Sequence, residues 1–123
     1  MENDKSKFKK EFRSQLYSFT LRLIEFIDHL SSDNVSKRLG DQLLRSGTSI
    51  IANYTEGQAA SSKKDFINYF TTSLKSCNES LLWLNLLKDS KRAQPDTVQP
   101  LLQELDEITR IFASSILTLK GRK

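Results

Sequence analysis

The chain reads as all-α: an antiparallel up-down-up-down four-helix bundle. Three observations predict this. Apolar residues recur at steps of three and four nearly from end to end, the period of one helix face. Turn residues are scarce, with four Gly and two Pro in 123 residues, whereas antiparallel β architectures need turn signals about every 8–12 residues. The length fits one domain of ~100–200 residues, so residues 1–123 are taken as a single bundle domain with short basic N-terminal and C-terminal tails.

In the first segment Phe12, Leu16, Phe19, Leu23, Phe26, Ile27 and Leu30 form the apolar face, and Ser31-Ser32-Asp33-Asn34 supplies stop and cap chemistry. Such side chains bond the backbone groups left free at helix ends. The second segment turns Leu39, Leu43, Ile50, Ile51 and Tyr54 inward and frays near Gly57. Ser61-Ser62 caps the third, with Asp65 in its first turn, favourable against the helix dipole. Its expected core seam is Phe66, Phe70, Leu74, Cys77, Leu81 and Leu84, and its end falls near Lys91. After a connection over Ala93–Thr97, the last segment carries Leu101, Leu105, Ile108, Phe112, Ile116 and Leu119. Pro100 is placed in its first turn, where no intrahelical donor is lost. Short connections make neighbouring helices antiparallel.

Composition excludes several function classes. One His and one Cys rule out a multi-histidine metal site and an internal disulfide framework. His29 lacks the Glu-x-x-His spacing of di-metal carboxylate bundles, because Phe26 stands three residues before it. Cys77 lies on an apolar seam with no flanking His, the setting of a small core hydrophobe. Arg45-Ser-Gly-Thr-Ser49 is mid-helix and cannot cradle phosphate, since its N–H groups are already used. The chain is therefore read as non-enzymatic, with no catalytic residue, metal, cofactor or small-molecule substrate. No segment approaches ~18 uninterrupted apolar residues and none resembles a secretory signal, so the expected location is cytoplasmic, without membrane contact.

Three features exceed what a plain bundle needs. At ~100° per residue, Gln42, Arg45, Ser46, Ser49, Asn53 and Glu56 form a polar row beside the apolar face of the second helix. It can hydrogen-bond across a helix–helix or subunit seam, with Arg45 meeting a carboxylate such as Glu79. Gly47 in its midst suggests close backbone approach. Second, Tyr69, Ser73, Ser76, Ser80, Trp83 and Leu87 form a stripe on the third helix, displaced roughly 80–90° from its core seam. One expectation is a second subunit on this flank, since Trp and Tyr favour interfaces; the other is a wide core.

Third, up-down-up-down topology gathers Lys5, Lys7, Lys9, Lys10, Arg13, Lys63, Lys64, Lys120, Arg122 and Lys123 at one pole, against Glu2, Asp4, Glu11, Glu56 and Asp65. Lys7, Lys9, Lys10, Arg13, Lys63 and Lys64 are the expected nucleic-acid-binding residues, through phosphate contacts. The aromatic residues are expected to lie away from these lysines, leaving no base stacking. The opposite pole is close to neutral or acidic.

The stretch Gln42-Leu-Leu-Arg45-Ser-Gly-Thr-Ser-Ile-Ile-Ala-Asn53-Tyr-Thr-Glu56-Gly57, followed by Ser62-Lys-Lys-Asp-Phe66 and Ser76-Cys-Asn-Glu79-Ser-Leu-Leu-Trp83, resembles the bacterial four helix bundle protein family. The founding members of that family are encoded in intervening sequences of 23S ribosomal RNA genes. A related branch is the accessory variability protein of diversity-generating retroelements. The matching positions are Arg45, Ser46, Ser49, Asn53, Glu56, Ser76 and Glu79; Ser73 and Lys75 depart from the small residues many members carry. The resemblance implies homopentameric barrels of four-helix bundles and, in the retroelement branch, a basic surface contacting nucleic acid and a reverse transcriptase.

Together these readings describe a homo-oligomer, a pentamer, whose basic pole binds RNA or DNA. Arg45, Ser49, Asn53, Glu56, Tyr69, Ser73, Ser76, Glu79 and Trp83 are its expected interface. The rival reading is an accessory module that docks a protein partner such as a reverse transcriptase without binding nucleic acid itself.

Overall fold

Four helices, α1 (Asp4–Asp28), α2 (Asn34–Gln58), α3 (Lys63–Asp89) and α4 (Pro95–Leu119), make up the computed structural model, which describes residues 3–121. Glu2, Arg122 and Lys123 of the expected basic pole lie outside the described residues. Three of the helices begin on a side-chain cap. Asn3 accepts from the Ser6 N–H at 2.8 Å, and Ser62 from the Asp65 N–H at 3.1 Å. Asp33 accepts from both the N–H and the hydroxyl of Ser36, at 2.9 and 2.8 Å. These bonds, with Arg92 3.6 Å away, hold the Asp33 carboxyl below its ordinary value.

α4 starts without a side-chain cap, on Pro95 at its first turn. Pro100 is therefore not in the first turn, as the sequence suggests, but inside the helix. Pro95 explains the shift: its ring is preset for helical φ and it has no N–H to waste, so the helix begins one turn earlier. Pro100 is exposed, and the carbonyl it leaves unpaired can turn to water.

α3 ends at Asp89 and closes by a Schellman motif. The Arg92 N–H reaches the Leu87 carbonyl at 2.9 Å and the Lys91 N–H reaches that of Lys88 at 3.0 Å. Lys91 occupies the left-handed position, with φ 64°.

The helices pack in ring order. α2 and α3 share the most extensive interface and α1 and α4 the smallest, and no diagonal pair of backbones comes close. One ring from each helix meets in a single layer just inside the pole where α1 begins: Phe12, Tyr54, Phe70 and Phe112. Their centroids are 5.3–6.1 Å apart, mostly edge-to-face, the arrangement the aromatic quadrupole favours. Further along, Phe19, Leu23, Leu43, Leu84, Leu105 and Ile108 are fully buried. α1 meets α2 where Leu23 occupies the space a Cβ on Gly47 would need, so the close approach suggested by Gly47 is realised against α1. α2 ends at Gln58, one residue past Gly57, close to where the sequence places its end, and a Cβ at Gly57 would sit 3.2 Å from both Tyr69 and Phe70. On the other side Glu104 of α4 takes an ion pair from Arg22 and a 3.4 Å hydrogen bond from Gln15.

Lys91 carries a left-handed conformation that costs a side-chain-bearing residue ~1–2 kcal/mol and glycine almost nothing. Lys91→Gly should raise unfolding stability by about 0.5–1 kcal/mol in urea titrations. A lower midpoint would mean that the lysine stem stabilises the turn by some other contact.

Candidate nucleic-acid interface

The start of α1, the α2–α3 connection and the end of α4 surround one open groove of about 420 Å³. Lys5 and Lys9 line it from α1, Ala60–Ser62 from the connection, Lys63 and Phe66 from α3 and Leu119 from α4. Among the described residues the pole holds Lys5, Lys7, Lys9, Lys10, Arg13, Lys63, Lys64 and Lys120 against Asp4, Glu11, Glu56 and Asp65. Lys5, Lys9 and Lys63 take no part in the ion pairs of the described residues. The Lys9 backbone is tied down, since the Tyr54 hydroxyl donates to its carbonyl at 3.5 Å. Arg13 lies close enough to oppose, electrostatically, the upward push of burial on the Tyr54 phenol.

Two aromatic rings stand among these cations, contrary to the expectation that none would. Phe66 forms part of the groove, tilted 31° against Phe70 with centroids 4.4 Å apart. Phe8, between Lys7 and Lys9, is 51% exposed and lies parallel to Phe12 at 6.0 Å. Phe66 belongs to the core by periodicity, yet it sits at the mouth of the bundle, where the core ends.

The stripe on α3 needs a correction. Ser73 and Ser80 are completely buried and Ser76 nearly so, all within this one chain. Ser73 Oγ donates to the Ile50 carbonyl at 2.9 Å, Ser76 Oγ to Ser49 Oγ at 2.8 Å, and Ser46 and Ser80 share a bond of 2.7 Å. Ser73 and Ser76 therefore do not present an outer flank. They belong to an intramolecular seam, where small side chains let α2 and α3 approach closely and every buried hydroxyl finds a partner. The buried face of α3 is correspondingly wide, running over Phe70, Ser73, Ser76, Cys77, Ser80, Leu84 and Leu87, while Leu74 and Leu81 are only half-buried.

Of the remaining expected interface residues, Arg45, Ser49, Asn53, Tyr69, Glu79 and Trp83 lie on α2 and α3 beside this seam, and Glu56 lines the groove between α1 and α2. Arg45, Glu56 and Glu79 are exposed, and Ser49, Asn53, Tyr69 and Trp83 are half-buried. Asn53 is turned along its own helix, donating to Ser49 O and Oγ at 2.9 Å. Within the one chain Arg45 and Glu79 form no ion pair. A second surface was not singled out by the sequence: Tyr17, Leu21 and Ile24 of α1 are 62%, 53% and 38% exposed and line a groove with Ile51, Ala52 and Thr55 of α2. Their spacing of four and three, offset from the Phe12–Phe26 face, is the signal that marks them.

Cys77 is buried, and burial pushes its thiol up to about 12, against a smaller opposing effect of the Thr109 hydrogen bond. His29 is exposed, with Nδ1 2.8 Å from the Glu25 carbonyl at the end of α1. Among the described residues no group of three or more His, Cys, Asp or Glu could hold a metal, and no helix is long and apolar enough to cross a membrane.

The sequence profile of the 23S rRNA-intervening sequence protein family matches residues 9–114. A solved structure from Bacteroides thetaiotaomicron, described as a protein of unknown function from the S23 ribosomal protein family, superposes with a TM-score of 0.80. It is 30% identical, and the match covers 85% of this chain and 97% of that one. No curated protein matches.

Two outcomes follow from the seam and the thiol. Ser46→Ala strands the Ser80 hydroxyl in the seam and should cost about 1–2 kcal/mol in urea unfolding. Adding Ser80→Ala should cost less than the second single change does alone, which a double-mutant cycle would read. Cys77 should react with a thiol reagent at pH 8 far more slowly in the folded chain than in urea. Well below pH 9.0 its thiol is protonated in both states and contributes nothing; as pH rises through 9.0 the unfolded thiol ionises while the folded one holds to about 12, so stability falls as pH rises. Tyr54, raised by burial, adds a loss of the same sign.

Proposed function

The chain belongs to the 23S rRNA-intervening sequence protein family, and from that starting point we propose that it is a non-enzymatic, homo-oligomeric bundle that binds nucleic acid through the pole where α1 and α3 begin. The supporting observation is the cation-rich groove: Lys5, Lys9 and Lys63 converge on one concavity without carboxylate partners among the described residues. Converging, unpaired ammonium groups attract a polyanion, whose condensed counterions are released on contact. Nothing in the packing requires so many lysines at one end.

The oligomer draws support from two different faces. The α1–α2 face is apolar, through Tyr17, Leu21 and Ile24. The outer α2–α3 edge is mixed, through Arg45, Tyr69, Glu79 and Trp83. Two unlike surfaces suit head-to-tail contact, which closes into a ring when the rotation allows. Adjacent faces of a four-helix bundle meet at roughly a right angle, compatible with a small ring of about four to five copies. The pentamer implied by family resemblance falls in that range. Parallel copies bring their basic poles together and focus the field.

Filter binding with RNA and DNA oligonucleotides across a salt series tests the electrostatic part. Each neutralised phosphate should add ~0.7–0.9 to the slope of log affinity against log salt. Reversing Lys9, Lys10, Lys63 and Lys64 to Glu should cut affinity by about 100-fold or more and flatten that slope. No retention at any salt would overturn the reading. If a reverse transcriptase or other protein still bound the reversed variant, the accessory-module reading would take its place. Light scattering should give a multiple of 14.1 kDa, and a monomer would remove the ring.

A further inference from the structure

We infer that the groove at the basic pole is a nucleotide subsite, so that the pole takes single-stranded nucleic acid in preference to duplex; this rests on the nucleic-acid reading above. The groove is chemically two-sided. Lys5, Lys9 and Lys63 supply cations around it, while Phe66 and Leu119 supply an apolar wall and Ser62 a polar one. A surface evolved to hold phosphates alone gains nothing from an aromatic ring and a leucine, which phosphate leaves wet. A nucleotide covers both parts: its phosphate meets the ammonium groups and its base lies on the ring.

The ring is prepared for that task. Phe66 rests against Phe70 with centroids 4.4 Å apart, and Phe70 is braced edge-on by Phe112 at 5.3 Å. Stacking on a ring already held costs little side-chain entropy. The groove's volume of about 420 Å³ falls within the ~300–1,000 Å³ range of small-ligand sites, enough for one nucleotide. One turn into α1, Phe8 offers a second exposed ring between Lys7 and Lys9. Lysines that track the backbone combined with rings on which bases stack make the pattern of single-strand binding. A duplex keeps its bases in the helical stack and cannot reach Phe66.

The two possibilities order the affinities in opposite ways. Duplex has the higher charge density, so a purely electrostatic pole binds it at least as tightly as a single strand. Stacking reverses that order. Fluorescence anisotropy with a labelled, unstructured single strand of roughly twelve nucleotides and a blunt duplex of the same length reads the difference, in RNA and DNA arms. The single strand should bind about tenfold tighter or more, and Phe66→Leu, which keeps an apolar side chain against Phe70, should reduce that preference at least about fivefold. Equal or tighter duplex binding overturns the inference while leaving nucleic-acid binding intact, as does an unchanged preference in a folded Phe66→Leu chain. No binding of either form at low salt removes the nucleic-acid reading and the inference with it. A competition on the unmodified protein holds even if Phe66→Leu unfolds: adenosine 5′-monophosphate should displace the single strand at about tenfold lower concentration than ribose 5-phosphate, and equal displacement by the two overturns the subsite.

Discussion

The layer of four rings, one from each helix, is the constraint on which the rest of the molecule hangs. Phe12, Tyr54, Phe70 and Phe112 lock the helices together at a single height, so the residues beyond them are forced into one small area at the tip. Lys5 and Lys9 lie within two turns of Phe12, Lys63 and Phe66 within two turns of Phe70, and Leu119 within two turns of Phe112. Without that layer these residues would belong to four loosely related helix ends. With it they become walls of one groove, and the Tyr54 hydroxyl fastens the α1 backbone to the same layer.

A second and different adhesive joins α2 to α3. Most helix pairs meet through branched apolar side chains, held about 8–10 Å apart. Here serines meet serines and a backbone carbonyl, and the reward of close approach depends on every hydroxyl being satisfied. Such a seam is intolerant. A larger side chain pushes the helices apart, and a lone alanine leaves a partner stranded. α2 and α3 therefore form the most closely packed pair of the bundle, with α1 seated on it through the notch at Gly47 and joined to α4 through the Phe12–Phe112 ring contact and Glu104.

Much of the fold is legible in the chain, because it depends on local chemistry. Asp33 and Ser62 cap helices where capping residues precede apolar periodicity, and the interior positions of α1 and α4 follow the three-four rhythm. Pro100 misleads because Pro95 offers an earlier start that periodicity cannot weigh. The harder failure is on α3. Hydropathy places its centre at Leu74 and Leu81, but the buried centre is shifted towards Ser73, Ser76 and Ser80, whose hydroxyls are sheltered only because α2 presents Ser46, Ser49 and the Ile50 carbonyl. A hydroxyl's burial is decided by its partner, and the partners are 23 to 34 residues away. The lysines of the pole are visible by topology, whereas Phe66 reads as core by its spacing and becomes a groove wall only because the bundle ends beside it.

Placing cations at one tip has an energetic consequence for assembly. In the proposed ring, parallel copies would bring like charges together, and the repulsion would have to be offset by contact along the sides. The exposed Tyr17, Leu21 and Ile24 lie along such a side, one turn and more from Arg13. Under the proposed function a polyanion across the tip would remove the repulsion, so nucleic acid and neighbouring copies would each favour the binding of the other by the same free energy, as linkage requires. A bundle of this design has no need of a moving part. Its helices could stay rigid while the population of the proposed rings rose with the ligand, because that coupling would run through charge at the tip and not through the core.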